Sequence, residues 1–360
     1  MQPLLCRRPV RIPGQDSVIV ASGQATGPAP LPALAERAVQ DALERAGITR
    51  AERVLLLLSK DFCRQGAAAL RAAAGAAACL QISGCTANGL LTETGWQIDQ
   101  PAAAALVFGH HPCALGEDES PLLSFSGQGR LAWDWLDDTP RAGLVDSDAN
   151  AWQQARECGD ARSTLALPGW HGTPLLSRGL RWLGETQEVT AADAHELRRL
   201  GTGTAVDSLL RALPGDLRAR PPLHQLTLVR ADRLPGIGIL SLNSDGSLTL
   251  GSPLQAGDTV TWAIRQPLAA EQEIRQQFAA AVDAGKRPEF ALMFSCIGRG
   301  PLFYGNDDRD LLAFREHFPQ VPLLGAYGTG QIFPGDKGNQ LFQNTVLTLL
   351  YERNNVQSNP

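Results

Sequence analysis

The sequence predicts an α/β protein, with mixed sheets, flanking helices and two related halves. Three observations carry this expectation. Short apolar runs bounded by glycine or polar residues, such as Arg53–Ser59 and Glu289–Ser295, read as buried strands. Stretches with apolar residues at helical spacing alternate with them, among them Leu34–Ala46 and Leu268–Ala284. Finally, the element order repeats. Strand 53–59, helix 66–79, strand 80–83 and loop 84–89 come in the same order as strand 289–295, helix 309–317, strand 321–324 and loop 325–330. The loops, Gly84-Cys-Thr-Ala-Asn-Gly89 and Gly325-Ala-Tyr-Gly-Thr-Gly330, each set two glycines five residues apart. A closing strand then begins near 102 and near 343. This is the pattern of an internal duplication, and duplicated halves often face each other across a shared cleft.

In chain order, a first strand is expected at Ser17–Gly23, and Gly47 stops the helix that follows. The alanines of 66–79 suit a helix packed closely on a sheet, and Ala102–Phe108 returns as a strand. Residues 112–175 are irregular, with one short helix expected over Ala151–Cys158 and Trp133, Trp135, Trp152 and Trp170 as packing residues. Gly179–Leu183 reads as a strand and Gly203–Leu213 as a helix. Arg218–Pro222 reads as a linker, dividing the chain into domains 1–217 and 223–360. The second domain opens with strands 237–242, 247–250 and 259–265, and Asn243-Ser-Asp-Gly246 has hairpin turn chemistry. Asn344–Tyr351 closes the chain as a strand.

Composition narrows the function. Hydrophobic residues are 44% and charged residues 19%, as in soluble globular proteins. The net charge of −5 and the lack of a basic stripe argue against a nucleic-acid partner. No apolar run is long enough to span a bilayer, and the N-terminus lacks the apolar stretch of a secretory signal. Seven cysteines, an odd number, fit free thiols in the cytoplasm.

The motifs exclude more than they assign. Each G-x-x-x-x-G lacks the Lys-Ser/Thr of a phosphate loop; Leu90-Leu91 and Gln331-Ile332 follow instead. No G-x-G-x-x-G opens a helix, and no G-x-S-x-G elbow is present. His110-His111-Pro-Cys113 offers three metal donors but no second cluster at ligand spacing, so a surface turn is expected and no metal site. Cys296 reads either as a thiolate activated by Arg299 or as a buried thiol at a strand end, the commoner state of free cysteine. Arg299 either holds a carboxylate ligand or pairs with Asp307, Asp308 or Asp310.

Gly257-Asp-Thr-Val-Thr-Trp-Ala-Ile-Arg265, Ala291-Leu-Met-Phe-Ser-Cys-Ile-Gly-Arg-Gly300, Pro322-Leu-Leu-Gly325 and Gly330-Gln-Ile-Phe-Pro334 together resemble the C-terminal part of FIST domains. The family's N-terminal part resembles Gly84–Gly89, Gly179–Thr190 and Gly201–Ala205. Two departures stand out: Gln331 replaces the family's usual acid, and 140–175 is shorter and bears tryptophan. The resemblance implies a cytoplasmic signal-transduction sensor that binds a small ligand, an amino acid or similar small anion, and is not an enzyme. It also implies a signalling partner, such as the histidine kinases or cyclic-di-GMP enzymes coupled to some bacterial members. Thr86, Asn88, Cys296, Arg299, Tyr327, Thr329 and Gln331 are the expected ligand contacts. Three rivals remain: a haem-dependent nitric-oxide sensor, an enzyme using Cys296, and a scaffold whose pocket has degenerated. The cofactor is unknown, with haem the candidate.

Overall fold

The computed structural model describes residues 19–109, 120–230, 233–335 and 338–353. The first unit runs β1 (Val20–Thr26), α1 (Pro32–Ala46), β2 (Arg53–Ser59), α2 (Gly66–Ala77), β3 (Ile82–Ala87), the hairpin β4 (Gly89–Thr92) and β5 (Gly95–Ile98), and β6 (Ala102–Phe108). A middle unit holds β7 (Leu122–Ser126), β8 (Arg141–Val145), the hairpin β9 (Ala151–Gln153) and β10 (Arg156–Glu157), and β11 (Arg162–Leu165). The chain continues into β12 (Trp170–Ser177) and then leaves for a separate barrel. That excursion is β13 (Leu180–Asp193), β14 (Glu196–Leu200), β15 (Gly203–Thr204), α3 (Ala205–Ala212), α4 (Gly215–Arg218), β16 (Leu226–Arg230), β17 (Arg233–Leu242), β18 (Leu248–Leu250) and β19 (Thr259–Arg265). The last unit is α5 (Pro267–Asp283), β20 (Phe290–Cys296), α6 (Arg309–His317), β21 (Leu323–Gly328), the hairpin β22 (Gly330–Gly335) and β23 (Gly338–Phe342), and β24 (Val346–Arg353).

Three sheets of like order surround one core. They run β1-β6-β2-β3-β9-β10, β12-β24-β20-β21-β4-β5 and β11-β7-β8-β22-β23. In each, two parallel strands (β2/β3, β20/β21, β7/β8) are flanked by an antiparallel strand on one side and a hairpin on the other. The hairpin always comes from another unit: β4–β5 joins β21, β22–β23 joins β8, and β9–β10 joins β3. The repeat expected twice thus recurs a third time in strand pairing, in a unit without the helices that made the other two visible in sequence.

One glycine marks each repeat. Gly84 opposes Leu56, Gly325 opposes Met293 and Gly143 opposes Ser124. An added Cβ would lie 1.9, 2.1 and 1.9 Å from the carbonyl oxygens of those partners. These glycines therefore serve close strand approach. The segments 84–89 and 325–330, expected as loops, are mostly strand, and only Asn88 and Thr329 lie between strands. Ala151–Cys158, expected as a helix, contains the hairpin β9–β10, turned by Gln154 and Ala155 at φ 52° and 56°.

Alternation along the strands divides the core. Leu55 and Leu57 point to the centre, where they join Phe125, Leu144, Phe294 and Leu324. Val54, Leu56 and Leu58 face outward under α1 and α2. Phe290, Leu292 and Phe294 likewise face the centre, while Ala291 and Met293 pack beneath α5 and α6. The third sheet is covered instead by Ala132 and Trp135.

The excursion closes on itself. The circuit β13-β19-β16-β17-β18-β14 returns to β13, every pairing antiparallel. Leu228, Ile239, Leu250 and Trp262 fill its interior, with Leu209 of α3 packed against them. The Trp262 indole donates to Ser208 Oγ (3.0 Å), which donates to Gln187 Oε1 (2.8 Å), so the buried ring leaves no polar atom unmet. Residues 218–222, where the sequence suggests a boundary, lie within this excursion, with barrel strands on both sides.

Candidate functional site

At the end of β20 the chain makes one 3₁₀ turn, Ile297–Arg299. Cys296 N–H donates to Thr345 O (3.0 Å), and its thiol faces Thr329 O at 3.8 Å. Gln331, fully buried, brackets the strand end. Its amide is satisfied with the oxygen accepting from Cys296 N (3.0 Å) and the nitrogen donating to Thr345 O (3.1 Å). A carboxylate here would meet the Thr345 carbonyl acceptor to acceptor. The amide thus suits this site, where the family pattern has an acid.

Arg299 lies in the interior, 2% exposed, and takes the second of its two expected roles. Its Nε and Nη2 donate to Asp310 (3.2 and 3.0 Å), and Nη1 and Nη2 donate to Ser177 O and Oγ (2.8 and 2.7 Å). That occupies the fork which would otherwise hold an anion. Tyr327, also buried, donates its hydroxyl to Asp308. Burial, then the neighbouring Asp310 charge, pushes the Asp308 carboxyl up to about 6.

The Arg299 network grips the joint between core and barrel. Ser177 Oγ also donates to Glu273 Oε2 (3.0 Å), which accepts from Gly179 N–H as well (2.5 Å). Arg178 stands between these two clamped residues. Together with Arg265, at the end of β19, it lines a cavity of about 260 Å³ at the seam. Leu180, Phe342, Asn344 and Thr345 complete much of the wall. Neither arginine pairs with a carboxylate among the described residues. Arg178 rests over the Trp182 ring at 5.7 Å, and Arg265 donates to the His224 carbonyl at 3.3 Å. Burial lowers the Arg265 pKa from its ordinary value, and the neighbouring Cys296 sulfur offsets part of that.

Thr86 and Asn88 belong to a different cluster, where β3, β8 and β21 meet end to end. Thr86 Oγ1 accepts from Asn150 N–H (2.8 Å). Asn88 donates from Nδ2 to Asp146 Oδ1 (3.0 Å) and from its backbone to Tyr327 O (2.9 Å). Lys60 pairs with Asp146 at 3.1 Å, and Thr329 N–H donates to Val145 O at 3.0 Å. The expected single cleft is therefore resolved into three places. Cys296 and Gln331 lie beside the cavity, Arg299 and Tyr327 lie in the buried network, and Thr86, Asn88 and Thr329 lie at the strand junction. Sequence reasoning missed Arg178, Arg265, Lys60 and Asp146. Arg265 ends one of the segments that carried the family resemblance, but nothing local showed that β19 returns to β20. Among the described histidines, His171, His195, His224 and His317, none lines the cavity. His110, His111 and Cys113 lie outside the described residues.

Comparison with known proteins gives the chain a place. Uncharacterized protein Rv0628c of Mycobacterium tuberculosis is 27% identical over 201 residues. Uncharacterized protein Mb0898c of Mycobacterium bovis is 30% identical over the same length. In both cases the match covers 52% of this chain, and it spans about half the length of these relatives (52%). F-box only protein 22 of Homo sapiens is 40% identical over 63 residues, 17% of this chain and 15% of that protein. Residues 205–334, from α3 through most of β22 and including Arg265, Cys296 and Gln331, match the FIST C domain, a family linked to signal-transduction sensors. The chain carries a FIST C domain.

Proposed function

We propose that the protein is a sensor that binds a small, negatively charged ligand between barrel and core and hands its occupancy to a signalling protein. One observation carries this reading: Arg178 and Arg265 face a cavity of about 260 Å³ with no carboxylate partner among the described residues. Two guanidinium groups that face one cavity without a carboxylate between them offer an anion paired donors. Arg178 also sits between Ser177 and Gly179, which the core holds through Arg299 and Glu273. A ligand bridging Arg178 and Arg265 favours one barrel orientation over others, which is the differential affinity a population shift requires. The partner would be a kinase or a cyclic-di-GMP enzyme, as the family resemblance implies. The reading is tested by a thermal-shift screen of amino acids and organic acids, repeated on Arg178→Ala/Arg265→Ala. The expected result is a stabilising hit that the double variant loses while keeping its unliganded midpoint. Retention of every hit by the double variant sinks the assignment.

A further inference from the structure

The wall of the seam cavity speaks to the class of ligand, and this inference rests on the functional reading above. Among the described residues, no aspartate or glutamate lines the cavity. The charged groups of the described residues that face the space are Arg178 and Arg265. The rest of the wall is largely apolar or glycine: Leu180, Pro235, Gly236, Gly238, Leu341 and Phe342. The remaining polar groups, on Thr227, Gln343, Asn344 and Thr345, are uncharged. A zwitterionic amino acid would bring an ammonium into a space with two guanidinium groups and no carboxylate to receive it. Arg265 is partly withdrawn from water, so like charges beside it are less screened than in bulk solvent. An acid without an ammonium meets no such penalty. Its carboxylate or phosphate can take two parallel bonds from either arginine, and an aliphatic or aromatic body fits against Leu180 and Phe342.

We propose that the cavity takes a small organic acid with an apolar body and no amino group, and that it discriminates against the amino acid of the same skeleton. The position of Gly238 supplies a blocking variant. It lies on the cavity wall at an exposed position, a Cβ built on it meets no atom within 4 Å, and its backbone is not left-handed, so a larger residue there narrows the wall without a Cβ clash.

The experiment is titration calorimetry on the full chain with three pairs of probes differing only by the ammonium: isocaproate and leucine, hydrocinnamate and phenylalanine, succinate and aspartate. The expected result is that isocaproate or hydrocinnamate binds at least about tenfold tighter than its amino partner. Gly238→Val is expected to abolish that binding without lowering the unliganded unfolding midpoint. An amino acid binding as tightly as its deamino partner, and lost in Gly238→Val, overturns the ligand class but keeps the cavity as the site. Binding of none of the six probes, or binding unaffected by Gly238→Val, overturns both.

Discussion

Arg299→Ala separates a structural arginine from a ligand-holding one. The side chain is 2% exposed and Asp310 is 1% exposed, with Nη2–Oδ1 at 3.0 Å. Removing one partner of such a pair leaves a buried, uncompensated carboxylate, at a cost of about 3–5 kcal/mol. The Ser177 carbonyl and hydroxyl lose their guanidinium donors too, which adds about 1 kcal/mol or more. Against the roughly 5–15 kcal/mol that stabilises a typical domain, this is a large fraction. Urea unfolding followed by tryptophan fluorescence is the assay, with Asp310→Ala and the double variant completing a cycle. The expected coupling is at least about 2 kcal/mol, the double variant costing clearly less than the two singles combined. If Arg299→Ala instead unfolds within about 0.5 kcal/mol of the parent and loses only ligand-induced stabilisation, the structural role is wrong and Arg299 is an anion holder.

Two further outcomes follow from the same region. The Asp308 carboxyl is raised from 3.8 to about 6, so the folded state binds a proton that the unfolded state has released between those values. Stability should therefore fall as pH rises from about 4 to about 6, by on the order of 3 kcal/mol from this group, and Asp308→Asn should flatten that slope in urea curves taken across the window. An unchanged slope in the variant would locate the titration elsewhere, in Asp310 first. Gln331→Glu places a carboxylate against the Thr345 carbonyl in a fully buried position, and is expected to cost about 1–3 kcal/mol at about pH 8 and much less at about pH 5. A variant as stable as the parent at both values would show that the bracket tolerates the family's acid.

Much of the fold was legible because its signals are local. The apolar runs at 53–59 and 289–295 and the glycine stops marked strands that are present. Helices such as Pro32–Ala46 announced themselves by periodicity. The middle unit was not legible. Its strands are three to five residues long except for the two-residue β10, and its hairpin turns on Gln154 and Ala155 rather than glycine. The barrel was half visible: its meander was expected, but its closure depends on β13 pairing with both β14 and β19, far apart in sequence. The site suffered for the same reason. Cys296 and Gln331 drew notice because each sits in a distinctive segment, and they lie beside the cavity without lining it. Arg178 and Arg265 are ordinary surface-type residues in sequence, and only the fold makes them neighbours. Arg299 could not be assigned from sequence, since Asp310 and a ligand carboxylate would attract it by the same chemistry.

The exchange of hairpins has a consequence for how the molecule is made. Sheet one is complete once residue 157 has been synthesised, but β8 waits for β22, nearly two hundred residues later. Until then a nascent chain carries β8 as an uncapped edge, and the hairpin β4–β5 has no strand to join. Bare edges are sticky, and closing such distant pairings is slow. Ribosome-bound chains between these two points are therefore the vulnerable species. Holding factors that shield open strands matter most there, before β21 and β22 lock the ring of sheets.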